Sequence, residues 1–290
     1  MQSLTNKTRS VIAVLFILLL NVNLRAQTED TAAAHHLRGY DFHNRRCLDD
    51  MSREYAQALK LDPPRDLTTE EWRLVRTFAP RLYTHRREFF PLKDFAVIVH
   101  PTERLIAYHL FWADDIDFPE DNDPSDHELI WVQYSPDKKS LEKIWTYFHG
   151  HILAGSEAAL RDARAHGMRP RVNVQWGKHG SLLVGWEEMT VMQNNVSVTL
   201  KQYNESTFKQ LSQGTRIQNH PLSIRFGWPQ KFNGNWNDFI NFSRYLDPLI
   251  LLSKTKMAKV TRWNNATINQ HFLPYNFRAK TEWPPVQATR

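Results

Sequence analysis

Apolar positions along the chain change their period twice. Over residues 50–61 they recur at Met51, Tyr55, Ala58 and Leu59, the spacing of one helix face. Thr68-x-x-Glu71 then opens a second helical run through Trp72, Val75 and Phe78, with the residues of a capping box. From Phe95 the pattern becomes that of strands. Residues 95–100, a turn at Pro101-Thr102-Glu103 and residues 104–112 are rich in β-branched and aromatic side chains, which predicts a hairpin. Further strands are predicted over residues 128–134, 144–153, 171–176 and 197–203, and a helix over 235–253. The expected fold is mainly β, a β-sandwich core with flanking α-helices, α+β overall.

The N-terminus reads as a targeting segment, residues 1–26. Lys7 and Arg9 precede a ten-residue apolar run from Val11 to Leu20, too short to span a bilayer as a helix. Cleavage fits after Ala26, although Leu24 is bulkier than the usual residue there, which leaves an uncleaved membrane anchor open as the alternative to a secreted or periplasmic product. Cys47 is the only cysteine, so no internal disulfide can form, and a small buried hydrophobe is its ordinary role. No Gly/Ser linker or fixed-period repeat breaks the remainder. It divides into a helical segment over 27–92, the sandwich core over 93–230 and a helical, basic extension over 231–290 packed on the same domain.

Composition is that of a globular protein, 41% hydrophobic and 23% charged over 290 residues, which excludes disorder, collagen and a multi-span membrane protein. The net charge of +6 hides an uneven distribution. Eight carboxylates and no Lys or Arg lie between Asp114 and Glu128, which leaves the rest of the chain at +14. From Lys231 onward nine basic residues face three acidic ones, a balance that suits an anionic surface or is simply a solvated face. A peripheral membrane contact is the expectation carried forward, and a nucleic-acid partner is not.

The acidic segment carries the candidate chemistry. If the chain returns as a strand after Ser125, Asp126 and Glu128 point to one face and His127 to the other. Side by side with Asp115 or Asp123 they repel unless protonated or neutralised, and a hard divalent cation, Ca2+ or Mg2+ with Mn2+ also fitting, neutralises them. The segment lacks the glycine and closing glutamate of an EF-hand, and a solvated acidic loop is the bland alternative. His149 and His151 would share a strand face as a zinc pair, a spacing common without metal among thirteen histidines. His179 lies between Gly177 and Gly180, where backbone or ligand can come close, and an exposed turn is its ordinary alternative. No Gly-x-Ser-x-Gly, phosphate loop, dinucleotide fingerprint or His-Glu-x-x-His occurs. Sequons stand at Asn195, Asn204, Asn241 and Asn265. Trp228, Trp236 and Trp263 could rim a carbohydrate or membrane surface, though core packing is the usual role of tryptophan.

These pieces resemble the necrosis- and ethylene-inducing peptide 1-like proteins, secreted β-sandwich cytolysins with a Tyr-x-Trp-Tyr-x-Pro-Lys-Asp strand end followed by Gly-His-Arg-His-Asp-Trp-Glu. Residues 108–115 have the length of the first element and end on its Asp, and Ser125-Asp126-His127-Glu128 takes the place of His-Asp-Trp-Glu. Gly177-Lys178-His179-Gly180 is similar to the family's later Ser-x-His-Gly, so the resemblance covers roughly residues 95–186. It implies that Asp115, Asp126 and Glu128 gather a divalent cation with His179 nearby. The departures are Asp123 and Ser125 where the family has histidines, His127 for its Trp, Ala113-Asp114 for its Pro-Lys, and no cysteine pair. An oxygen-rich site survives them, with Asp123 as an added ligand. Toxicity does not follow, since it also depends on sphingolipid-recognition loops that find no match here.

The leading expectation is an exported protein whose cation site, Asp115, Asp123, Asp126 and Glu128, docks an anionic glycan or lipid headgroup. A metal-dependent hydrolase, with His179 or His127 moving the proton of a metal-activated water, is the alternative. A non-catalytic exported scaffold with a solvated acidic loop is the third.

Overall fold

The computed structural model describes residues 30–116, 126–214, 231–272 and 278–285. The predicted targeting segment and Asp123 lie outside these. The described residues form two compact units, which divide between Asp62 and Pro63. In the first, α1 (Ala32–Asn44) and α2 (Leu48–Leu61) make a helical hairpin. Thr31 caps α1, its Oγ1 accepting from the Ala34 N–H. Gly39 lets the helices meet, because a Cβ there would lie 2.5 Å from the Tyr55 ring. Cys47 is half-buried and unpaired with another cysteine.

The second unit opens with α3 (Thr69–Phe78), which together with β1 falls inside the 27–92 segment of the sequence. Its capping box is complete: Thr68 Oγ1 accepts from the Glu71 N–H, and the Glu71 carboxylate accepts from the Thr68 N–H. Its apolar face then buries Leu74, Val75 and Phe78.

The strands are β1 (Arg81–Thr84), β2 (Leu92–Val99), β3 (Leu105–Trp112), β4 (Asp126–Tyr134), β5 (Leu141–Phe148), β6 (His151–Ala154), β7 (Arg171–Val174), β8 (Ser181–Leu183), β9 (Thr190–Gln193), β10 (Val196–Thr199), β11 (Arg244–Leu246) and β12 (Ala258–Val260). They form a six-stranded sheet in the order β12-β2-β3-β4-β5-β6, a four-stranded sheet in the order β11-β1-β7-β8, and the separate β9–β10 hairpin. Inward residues of both larger sheets, among them Leu82, Val172 and Leu183 from one and Val97, Tyr108, Leu110, Ile130 and Val132 from the other, share one core with α3 and α4 (Glu157–Ala165). That is a two-sheet sandwich within an α+β fold. Each such side chain contributes roughly 1.5–3 kcal/mol by leaving water. The second face of the six-stranded sheet is covered too, with Phe111, Leu129 and Trp131 packing on Ile268 of α8 (Asn264–His271). This is why β3 reads as a continuous apolar run rather than an alternation.

Three predicted elements differ. The run over 144–153 is cut into β5 and β6 by a turn in which both His149 and Gly150 take positive φ. The strand predicted to reach Tyr203 ends at Thr199, whose side chain caps a helix, α5 (Leu200–Gln213), through a second capping box. The helix predicted over 235–253 is instead α6 (Trp236–Phe239), β11 and α7 (Leu249–Thr255), because Pro248 and the strand-edge pairing of β11 interrupt it. Residues 231–290 therefore supply strands to both sheets, β11 to the smaller and β12 to the larger.

Candidate functional site

β3 and β4 pair antiparallel with Trp112 opposite Asp126 and Leu110 opposite Glu128, so the strand period puts Asp126, Glu128, Leu110 and Trp112 on the inter-sheet side. The turn joining β7 to β8 closes with the Gln175 N–H donating to the Gly180 carbonyl and the His179 N–H donating to the Gln175 carbonyl. It carries His179 at φ 50°, between Gly177 at φ 66° and Gly180. Both glycines are needed: a Cβ on Gly177 would meet Ile116 Cδ1 at 2.5 Å, and one on Gly180 the Phe148 ring at 2.7 Å. The Ile116 N–H also donates to the Gly177 carbonyl at 2.6 Å, tying this turn to the end of the β3 segment.

His179 is fully buried and faces Asp126, its Nδ1 donating to Oδ2 at 2.9 Å, while its Nε2 lies 3.4 Å from Glu88 Oε1. Trp112 stacks flat on the imidazole, with centroids 4.2 Å apart and planes 4° apart. Burial pulls the imidazole toward its neutral form, but the Glu88 charge and the Asp126 hydrogen bond outweigh it and raise His179 to about 10. It is an imidazolium at neutral pH, clamped between two carboxylates under an indole face. Glu88 is held in turn by three backbone donors, the N–H groups of Phe89, Phe90 and Gly177. Beside this clamp Glu128 is buried, and its Oε2 has no hydrogen-bond partner among the described residues. Burial pushes its acid well above the usual carboxylate range. The Lys280 and His179 charges oppose that shift, and those of Asp126 and Asp115 add to it.

The candidate residues thus separate. Asp126, Glu128 and His179 come together, and Asp115, half-buried, is close enough to act on Glu128 electrostatically. His127 is on the other face of β4, where its ring stacks between His109 and Phe111, at 5.3 and 4.7 Å, and shares a 3.0 Å hydrogen bond with His109. His149 lies in the β5–β6 turn and His151 opens β6, so the two do not share a strand face. The His149 Nε2 donates to Gln175 Oε1 at 2.7 Å, and burial holds it down to about 4. Gln175 Nε2 donates onward to Asn204 Oδ1, so Asn204 of the second sequon is an interior hydrogen-bonding residue. Asn265 is likewise buried, its amide donating to the Lys280 carbonyl, whereas Asn195 and Asn241 are exposed. Glu88 was not legible as a site residue. The only hint is a lone acid between Arg87 and Phe89-Phe90-Pro91, and its importance comes from loop N–H groups that no side-chain pattern encodes.

Among the described residues no three His, Cys, Asp or Glu side chains gather as a group able to hold a metal ion, and no helix is long and apolar enough to cross a membrane. No family model and no curated protein matches the chain. One solved structure, that of Necrosis and Ethylene inducing Protein 2 from the causal agent of cocoa's Witches Broom disease, bears a distant resemblance to it. The TM-score is 0.30 and the identity 12%, over 41% of this chain and 69% of that one. An overlap this loose carries neither a site nor an activity across.

Proposed function

We propose that this is an exported protein that takes up a divalent cation at Asp126 and Glu128, with Asp115, and uses it to dock an anionic glycan or lipid headgroup. One observation supports it above the others: Glu128 Oε2 is buried without a partner beside a second carboxylate on the same strand face. An unsatisfied buried oxygen of this kind costs free energy, and the donor set is the hard oxygen chemistry that suits Ca2+ or Mg2+. When bound, the cation would neutralise the carboxylates and offer open positions to an anionic group. The chain's own part is to orient those carboxylates, Asp126 through His179 and His179 through Glu88.

Nothing in the geometry favours the hydrolase. His179 holds its proton between two carboxylates, and His127 faces away from Asp126 and Glu128. The test is thermal melting with chelator and then with calcium, magnesium, manganese or zinc, for the wild type and for Asp126→Ala with Glu128→Ala. Binding to the folded state alone raises stability by mass action. A rise of several degrees with a hard cation, lost in the double variant, is expected. No shift with any of these metals overturns the reading.

A further inference from the structure

A cavity of about 370 Å3, lined by Glu88 and Trp112 among others, opens between the loop ahead of β2 and the edge strand β11. That volume is at the small-molecule end of binding sites. β11 pairs with β1 so that Arg244 lies opposite Thr84 and Leu246 opposite Leu82. Leu246 and Leu82 pack in the inter-sheet core, so the strand period turns Arg244 toward the same side, where it lines the cavity with Thr84. Among the described residues no carboxylate pairs with Arg244. The acid in the cavity wall, Glu88, is already committed to His179 and to three backbone donors. That leaves the exposed Arg244 guanidinium as the charged group of the cavity that no described carboxylate pairs.

The rest of the lining is apolar or aromatic, namely Phe89, Phe90, Pro91, Leu92, Trp112 and Leu246. We infer that this cavity is a binding site for a singly charged phosphodiester, Arg244 holding the phosphate oxygens and the apolar wall receiving the organic part. The guanidinium fork matches two phosphate oxygens. A second negative charge would face Glu88, which selects a diester over a monoester or free phosphate. The inference rests on the headgroup reading above, in that it names the group and the place, but it does not require the cation. The competing account is that Arg244 merely blunts an edge strand, a common use of an inward charge.

The test is isothermal titration of the full chain in chelator with dihexanoylphosphatidylglycerol below its micelle concentration, and separately with glycerol 3-phosphate and with inorganic phosphate. The diester is expected to bind most tightly. Arg244→Ala should weaken it at least tenfold and Arg244→Lys by less, and added calcium should not be needed for binding. An unaltered affinity in Arg244→Ala overturns the inference and leaves the edge-strand account. Inorganic phosphate binding as tightly as the diester overturns it as well, as does the absence of diester binding. Binding that appears only with added calcium and disappears in the Asp126 and Glu128 variant also overturns it, and assigns the headgroup to the cation instead.

Discussion

Asp126 and His179 meet at 2.9 Å although one belongs to the six-stranded sheet and the other to the turn that ends the smaller sheet. Their contact therefore joins the two layers at the end of the sandwich where the acidic segment leaves β3 and returns as β4. Removing the imidazolium leaves Glu88 and Asp126 facing each other without a counter-charge. His179→Ala is expected to cost roughly 3–5 kcal/mol, the scale for breaking a buried ion pair from one side. Urea unfolding of the wild type and variant measures it. A loss under about 1 kcal/mol would mean the clamp is not formed in solution.

His109 gives the protein an acid sensitivity of definite sign. Burial first, and then the Lys280 charge, lower it to about 3, against the partial opposition of its bond to Asn264. A histidine depressed in the folded state is neutral there while the unfolded chain still binds a proton. Its contribution is thus complete above about pH 6.5 and is lost as the pH falls toward 3. His149, held down to about 4, acts in the same direction. Melting temperatures between pH 7 and pH 4 should fall less steeply in His109→Phe than in the wild type. An unchanged slope would show that His109 does not titrate in this way.

Glu71 has the opposite chemistry and the same sign. The hydrogen bonds it accepts from Arg65, against the opposing effect of its partial burial, and then those from Thr68 bring it down to about 2. The stabilisation is present above the ordinary carboxylate value near 4.5 and disappears as the pH falls toward 2. Glu71→Ala removes half of the capping box together with the paired contacts from Arg65 and is expected to cost about 1–2 kcal/mol at neutral pH. The difference between variant and wild type should shrink in acid, which denaturant unfolding at pH 7 and pH 3 would measure.

Gly177 is constrained twice, by its φ of +66° and by Ile116, so Gly177→Ala should destabilise the fold by roughly 1–3 kcal/mol. Shortening the obstacle with Ile116→Val in the same chain should recover part of that loss but not the backbone share. Full recovery would show that the positive φ carries no cost.

What the sequence made legible followed from local rules. The capping box at Thr68 and Glu71, the β2–β3 hairpin and the shared face of Asp126 and Glu128 all depend on residues a few positions apart. The failures came where backbone conformation or distant pairing decided the outcome. His149 and Gly150 turn back with positive φ inside a run that reads as one strand, and the β11 pairing with β1 converts part of an apparent helix into an edge. Glu88 escaped for the same reason, since its partners are main-chain N–H groups and a histidine from the distant β7–β8 turn.

The parallel pairing of β12 with β2, and the return of β11 to β1, set an order of assembly. Each larger sheet receives an outermost strand from residues 244–260, so while the chain is being made the β2 and β1 edges have no covering strand until nearly all of it has emerged. Those edges are long-range contacts, slow to form and prone to pair with other chains in the interval.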